Sequence, residues 1–379
     1  MSKPVSVIKC EDYEVSRLED VIIKHFENLG GIEKFIKKGT KVLIKPNLIM
    51  GKAPDTAVTT HPAFIEALAK VIIKNGGVVT IADSPGGPFT PILLKTVYKS
   101  SGMDKAAKNC GASLNYDCSA DMLPFRDGVI CHEFHFIKPY FDADLLITAC
   151  KLKTHSMTAY TGAVKNLFGL IPGLEKPELH SRFPKLDRFG EMLVDLCAAA
   201  KPALAFMDAI TVHEGNGPTG GRPKHAGLTL ASENPFSLDL AATYIAGFDK
   251  NEVITVKKSI ERGLTENSVA DLDIIGEKLD DVLIRDLLRA KTDIISMFSV
   301  LPPILRVGLD KLIDPHPKIQ LEKCVGCGKC AESCPAHTIE ISDRKAHINY
   351  SRCIRCFCCQ EMCPIKAIAI KRNILFRHR

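Results

Sequence analysis

Nine of the 15 cysteines lie between positions 324 and 363, and their spacing is regular. Cys324, Cys327, Cys330 and Cys334 form one C-x2-C-x2-C-x3-C-P run, and Cys353, Cys356, Cys359 and Cys363 form a second. Two intervening residues let a chain curl around the corner of a metal–sulfur cube and present successive thiolates, soft ligands that suit iron–sulfur clusters. Pro335 and Pro364 fix φ and offer no N–H, so each ends its ligand loop and turns the chain. Gly326 and Gly328 let the backbone come close to sulfur. Zinc usually takes two C-x2-C pairs, so two four-cysteine runs each closing on Cys-Pro argue against a zinc or disulfide framework. Cys358 falls outside the pattern and reads as a plain neighbouring thiol.

Over about residues 317–370 these runs resemble the bacterial two-cluster ferredoxins. The resemblance implies two [4Fe–4S] clusters and a crossed ligand set, in which the last cysteine of each run reaches the other cube. Cys324, Cys327, Cys330 and Cys363 would hold one cluster, and Cys353, Cys356, Cys359 and Cys334 the other. It also implies one-electron transfer with a redox partner protein or other electron donor.

A second polar concentration runs from Lys151 to Asn166 and includes Lys153, Thr154, His155, Ser156, Thr158, Thr161 and Lys165. It follows the apolar strand pattern at 145–149, so it lies beyond a strand's carboxyl end, where open α/β sheets bind ligands. A helix over 157–170, capped by Thr154 or Ser156, would add free N–H groups to Lys153 and form an anion site. Thr158, Thr161 and Lys165 would then share one helix face. Lys45 and Asn47 follow another strand, Asp83 a third and Asp208 a fourth, while His61 stands at a helix entry. Taken singly, each is more often a cap or turn residue; their shared position is the signal. Gly215–Gly220 matches G-x-G-x-x-G, but Pro218 interrupts it and a strand pattern follows, so it reads as a ligand-facing loop rather than a dinucleotide fingerprint. His132 and His135 sit three apart on a strand and face opposite sides, which excludes joint chelation.

The elements that position these groups alternate. Strand patterns at 5–8, 41–45, 78–82, 112–116, 144–149, 203–207 and 228–231 interleave with helical periodicity at 17–29, 62–74, 188–200 and 236–246. That order predicts an α/β fold, a mainly parallel sheet with covering helices, plus a small α+β ferredoxin domain. The expected organisation is an α/β domain at 1–283, an apolar segment at 284–316 packing between domains or touching a membrane surface, and the ferredoxin domain at 317–379.

The 379 residues are 46% hydrophobic with a formal charge of +6. Two clusters, each with its four thiolates, would bring that charge to about +2. No basic run or basic–aromatic array points to nucleic acid. No signal peptide or transmembrane segment is legible, and six scattered cysteines fit a reducing compartment, so a cytoplasmic location, in an anaerobe, is expected.

Residues of about 4–280 resemble the uncharacterised family named domain of unknown function 362. The matching positions are Lys45-Pro46-Asn47, Thr60-His61-Pro62, Asp83-Ser84-Pro85, Lys153-Thr154-His155, Lys165-Asn166-Leu167-Phe168-Gly169, His180, Asp208 and Glu214–Pro218. The resemblance implies a shared polar site and supplies no reaction. The expected function is an iron–sulfur oxidoreductase acting on a small, anionic substrate. Lys153, His155, Lys165, His61 and Asp83 would form the catalytic group. Lys45, Asn47, Thr154, Asn166, His180, Asp208, Glu214 and Asn216 would bind substrate, and the acids could hold a divalent metal. The rival reading is an electron-carrier adaptor that docks a partner oxidoreductase and performs no reaction.

Overall fold

The computed structural model describes residues 3–290 and 316–371; the expected apolar segment at 294–312 lies outside the described residues. The strands are β1 (Val5–Lys9), β2 (Lys41–Pro46), β3 (Val78–Ile81), β4 (Ser113–Leu114), β5 (Ala120–Pro124), β6 (Glu133–Ile137), β7 (Leu145–His155), β8 (Ala159–Thr161), β9 (Leu204–Glu214), β10 (Arg222–Ser232) and β11 (Ile274–Gly276). Four more, β12 (His316–Ile319), β13 (Ile339–Ser342), β14 (Lys345–Ile348) and β15 (Ile368–Lys371), belong to the C-terminal module.

The main sheet runs β11-β1-β10-β9-β7-β2-β3-β4, with β8 folded back on β7. Its β9-β7-β2-β3-β4 half is parallel throughout, and β10 and β8 run against their neighbours. The mainly parallel α/β fold is therefore as expected. Side-chain alternation divides the core between the two faces. Ile44, Ile147 and Phe206 pack with helices Val15–Asn28 and Pro62–Lys74. Leu43 and Leu146 pack instead against helix Leu186–Ala200, while Ala205 and Met207 pack against helix Pro235–Ile245. Burying a side chain such as Phe206 contributes about 1.5–3 kcal/mol.

Two local expectations fail. The strand expected at 112–116 shortens to Ser113–Leu114. More consequentially, the helix expected over 157–170 does not form there. β7 continues through His155, turns back through β8, and only then gives a four-residue helix at Ala163–Asn166. β2 stops pairing at Ala149, so β7 projects past its neighbour, held on its other edges by β8 and β9. Alternation puts Lys151, Lys153 and His155 on one face of this projection, with Leu152 buried behind them. Neither Thr154 nor Ser156 caps a helix. The Ala163 and Val164 N–H groups donate instead to the Asp239 carboxylate at 2.7 and 3.0 Å.

Candidate functional site

A cavity of about 100 Å³ opens beyond the carboxyl ends of β2, β3 and β7. The chain supplies its walls from positions far apart: Lys45 from the last residues of β2 itself and Asn47 just after it, Asp83 and Ser84 after β3, Lys153 and His155 from the β7 projection, and Lys165, Lys176 and His180 from the segments that follow. The last wall comes from the C-terminal module, through Cys358, Glu361 and Met362. Gly86 leaves room for that contact, since a Cβ there would stand 2.5 Å from Met362 Sδ.

Lys45 and Asp83 form a buried ion pair at 2.8 Å. The Lys45 ammonium also donates to Asn166 Oδ1 and the Pro46 carbonyl, and Asp83 accepts the Leu48 N–H. Burial pulls the Lys45 pKa down, partly offset by Asp83. Gly169 is obligatory beside the pair, because a Cβ there would collide with Asp83 Oδ1 and the Lys45 ammonium.

Lys153 donates to Asn47 Oδ1 at 2.8 Å and to the Val58 carbonyl at 2.9 Å, both neutral. Burial, with the nearby charge of Lys165, takes its pKa down to about 7. Lys176 donates to Ser84 Oγ and the Pro85 carbonyl, and burial takes it to about 7 as well. Lys165 has no hydrogen-bond acceptor among the described residues, and its ammonium lies 5.8 Å from the centre of the Phe168 ring; burial lowers its pKa and Glu361 opposes the shift.

His155 Nδ1 accepts the N–H groups of Met157 and Thr158, so Nε2 carries the hydrogen. Nε2 faces Glu361 Oε1 at 3.3 Å, an alignment too poor to count as a full hydrogen bond. Burial and Lys165 push the His155 pKa down to about 4, so the imidazole is neutral. Burial alone would raise Glu361, but His155, Lys165 and His180 hold it at about 2. His180 stacks on Phe189 and, with burial as the main cause, falls to about 3. Its Nδ1 and the Thr161 hydroxyl are buried in the cavity wall without a hydrogen-bond partner.

The cavity thus gathers Lys45, Asn47, Asp83, Lys153, His155, Lys165, Asn166 and His180 from the expected set. His61 is elsewhere. Its ring stacks on Tyr13 at 3.7 Å and caps its own helix through Nδ1, which accepts the Ala63 N–H. Asp208 lies within β9, not after it, and binds Lys151, Tyr13 and the His61 N–H. Thr154 turns away and donates to the Gly215 carbonyl. Glu214 pairs with Arg222 and accepts the Leu288 N–H. Asn216 is not part of the lining, although Pro218 of the same loop is. Among the described residues no three His, Cys, Asp or Glu side chains group to hold a single metal ion, so the divalent-metal expectation finds no site.

Lys176, Glu361 and Cys358 are the residues that sequence reasoning missed. Lys176 sits in an ordinary-looking Glu-Lys-Pro helix start. Cys358 was read as a bystander, yet its thiol is in the cavity wall.

In the module, Cys324, Cys327, Cys330 and Cys363 line one small void, and Cys334, Cys353, Cys356 and Cys359 line a second. Backbone N–H groups of Ala346, Thr338 and Ala367 point at the sulfurs of Cys324, Cys334 and Cys363, at 3.4, 3.4 and 3.2 Å. Four convergent thiols with N–H···S support fit a 4Fe–4S cluster.

The chain is similar to known proteins in both parts. The model of a domain of unknown function, DUF362, matches residues 42–244, and that of a 4Fe-4S dicluster domain matches residues 316–364. A thylakoid-associated protein of Synechocystis sp. is 34% identical over 271 residues, which is 70% of this chain and 81% of that protein. The lactate racemase apoprotein from Thermoanaerobacterium thermosaccharolyticum is similar with a TM-score of 0.41 and 13% identity, over 64% of this chain and 57% of that one. No helix of the described residues is long and apolar enough to cross a membrane. The C-terminal module binds 4Fe–4S clusters and gives the protein electron-transfer capacity, and the chain as a whole belongs to the DUF362 family.

Proposed function

We propose that this protein is an iron–sulfur oxidoreductase that exchanges electrons with a small anionic substrate held between the sheet edge and the C-terminal module. One observation carries the reading. The short helix Cys358–Glu361, which contains the ligand-pattern residue Cys359 and lies between Cys356 and Cys363, forms a wall of the cavity that Lys45, Lys153 and Lys165 line from the other side. An electron carrier that only docked a partner would have no use for a lysine-lined cavity walled in part by its own module.

The clusters, two by the crossed cysteine sets, supply one-electron transfer when bound. The rest falls to side chains. Lys165, with no acceptor of its own, and Lys153, with two neutral ones, attract the anion. Lys153 is also the best-placed proton donor, since a pKa of about 7 lets it give and recover a proton near neutrality. Neutral His155 presents its Nε2 hydrogen to the same space, and Glu361 orients it. Asp83 holds Lys45 in place and does not face the ligand as a free charge. A cytoplasmic location fits the reduced cysteines, and a separate redox protein would serve as donor or acceptor.

The test is an anaerobic redox titration of the holoprotein with and without phosphate, sulfate or acetate. An anion in the cavity should lower the cluster midpoint potential, because negative charge opposes reduction. The shift should vanish in Lys153→Gln and Lys165→Gln, with the cluster absorbance intact. A shift that survives both substitutions, or no shift with any anion, overturns the proposal in favour of the adaptor.

A further inference from the structure

The cavity is not uniformly positive. At one end Lys153 and Lys165 stand with Glu361, the one carboxylate there among the described residues, which lies 3.3 Å from His155, two residues along the same strand face from Lys153. At the other end Lys45 and Lys176 stand with the single carboxylate of Asp83; Lys176 feels Asp83 and then Lys45. Lys176 is held at its end by Ser84, the residue after Asp83, and Lys153 at the other by Asn47 Oδ1 and the Val58 carbonyl. With Lys153 and Lys176 protonated, each end holds two ammonium groups against one carboxylate, an excess of one positive charge per end.

Unmet polar groups lie in the same chamber. The Thr161 hydroxyl and His180 Nδ1 are buried there without partners, and a buried polar group without a partner is unfavourable by about 1–3 kcal/mol. Thr161 is the cross-strand neighbour of Lys153, which places it at the Glu361 end. Ile49, Phe168 and Leu174 supply an apolar lining, and Lys176 holds the far end through Ser84.

Size limits the occupant. A space of about 100 Å³ takes about seven to ten water-sized atoms at roughly 10–15 Å³ each. That admits a chain of four or five carbons with an acid group at each end.

We infer that the cavity binds a small dicarboxylate, one carboxylate at the Lys153–Lys165 end and the other at the Lys45–Lys176 end, with its carbon chain against the apolar lining. This rests on the anion-site reading above and narrows it. Two separated single charges match two separated single excesses better than one compact dianion such as phosphate. The ligand's acid group would also give Thr161 and His180 the partner they lack.

The experiment is anaerobic calorimetry of the holoprotein with malonate, succinate, glutarate, propionate, butyrate and inorganic phosphate, repeated on Lys165→Gln and Lys176→Gln. Cluster absorbance and thermal melting establish that each variant is folded and loaded. Succinate or glutarate should bind at least tenfold more tightly than propionate or butyrate, and each substitution should remove most of that advantage. If phosphate binds best and Lys176→Gln leaves it unaffected, the dicarboxylate assignment is overturned while the anion site stands. If a monocarboxylate binds as well as a dicarboxylate, the two-ended reading fails. If no anion binds at all, both the assignment and the anion site fall.

Discussion

Binding of an anion in the cavity should draw protons from solvent, in an amount that grows with pH. Lys153 and Lys176 are each held down to about 7, by burial first and then by neighbouring charge. In the free protein each is about half protonated at pH 7. A dicarboxylate seated between the two ends would return both to the ammonium form. The expected uptake is then roughly one proton at pH 7, about 0.2 at pH 6 and about 1.8 at pH 8. Calorimetry with succinate in buffers of differing ionisation enthalpy measures the number directly. Affinity should fall across the same window, because more of the free energy goes into protonating the site. The ligand-free protein should respond to pH in the opposite sense. Its two lysines titrate near 7 when folded and near the ordinary 10.5 when unfolded. Between those values the unfolded chain binds more protons, so stability rises with pH through that window. Uptake that is zero, or that does not grow from pH 6 to 8, would refute the reasoning that these ammonium groups are depressed by burial and rescued by the ligand.

Three further outcomes follow from the geometry. Glu361→Gln removes the only carboxylate at its end of the cavity, so anion affinity should rise about tenfold while iron content and cluster absorbance stay unchanged; weaker binding would mean that Glu361 matters chiefly for placing His155. Cys358→Ser should retain all the iron, since Cys358 lines neither cysteine-walled void, whereas Cys334→Ser should damage the cluster held by Cys353, Cys356 and Cys359; iron analysis and EPR read both. Gly169→Ala drives a methyl group into the buried Lys45–Asp83 pair and should destabilise the protein by about 3 kcal/mol or more, measured by thermal or denaturant unfolding.

Much of the fold was legible because apolar runs and their interleaving with helical periodicity report burial directly. The polar projection of β7 was not. Lys151-Leu152-Lys153-Thr154-His155 interrupts the hydrophobic run at 145–150, and polar residues next to a strand end read as a helix cap. The alternation of long polar side chains about buried Leu152 was the available signal, a period of two where a helix would show 3.6. His61 and Asp208 were misassigned for a different reason. β9 runs on through Glu214, so Asp208 lies inside the strand, and a place at a helix entry does not say which way the His61 side chain points. The Tyr13 ring, from a distant part of the chain, decides that His61 stacks rather than faces the cavity. Glu361 could not be placed at all, since its role depends on how the C-terminal module sits against the sheet edge. The one hint is its location inside the C-x3-C loop between Cys359 and Cys363.

Five lysines with depressed pKa values lie along this edge, and charge alone does not sort them. Lys151 is as buried as any, yet its ammonium bonds to the Asp208 carboxylate at 2.8 Å and to the Tyr13 hydroxyl at 2.9 Å, and Asp208 is itself satisfied by Tyr13 and the His61 N–H. That network is closed, and a closed buried pair is a structural element whatever its residue types. Lys45 is closed in the same way through Asp83 and Asn166. Lys153 and Lys176 meet only neutral oxygens, and Lys165 meets none among the described residues. Lys153 is buried and Lys165 and Lys176 are half-buried, and a cation drawn out of water without a direct counter-charge is unfavourable unless something else completes it. The same strand face thus carries a lysine that holds the sheet together, Lys151, and two residues on, a lysine that waits for a ligand, Lys153. The difference lies in their partners: Lys45 lines the cavity with its charge already matched by Asp83, and the unclosed set, Lys153, Lys165 and Lys176, is left to meet the ligand.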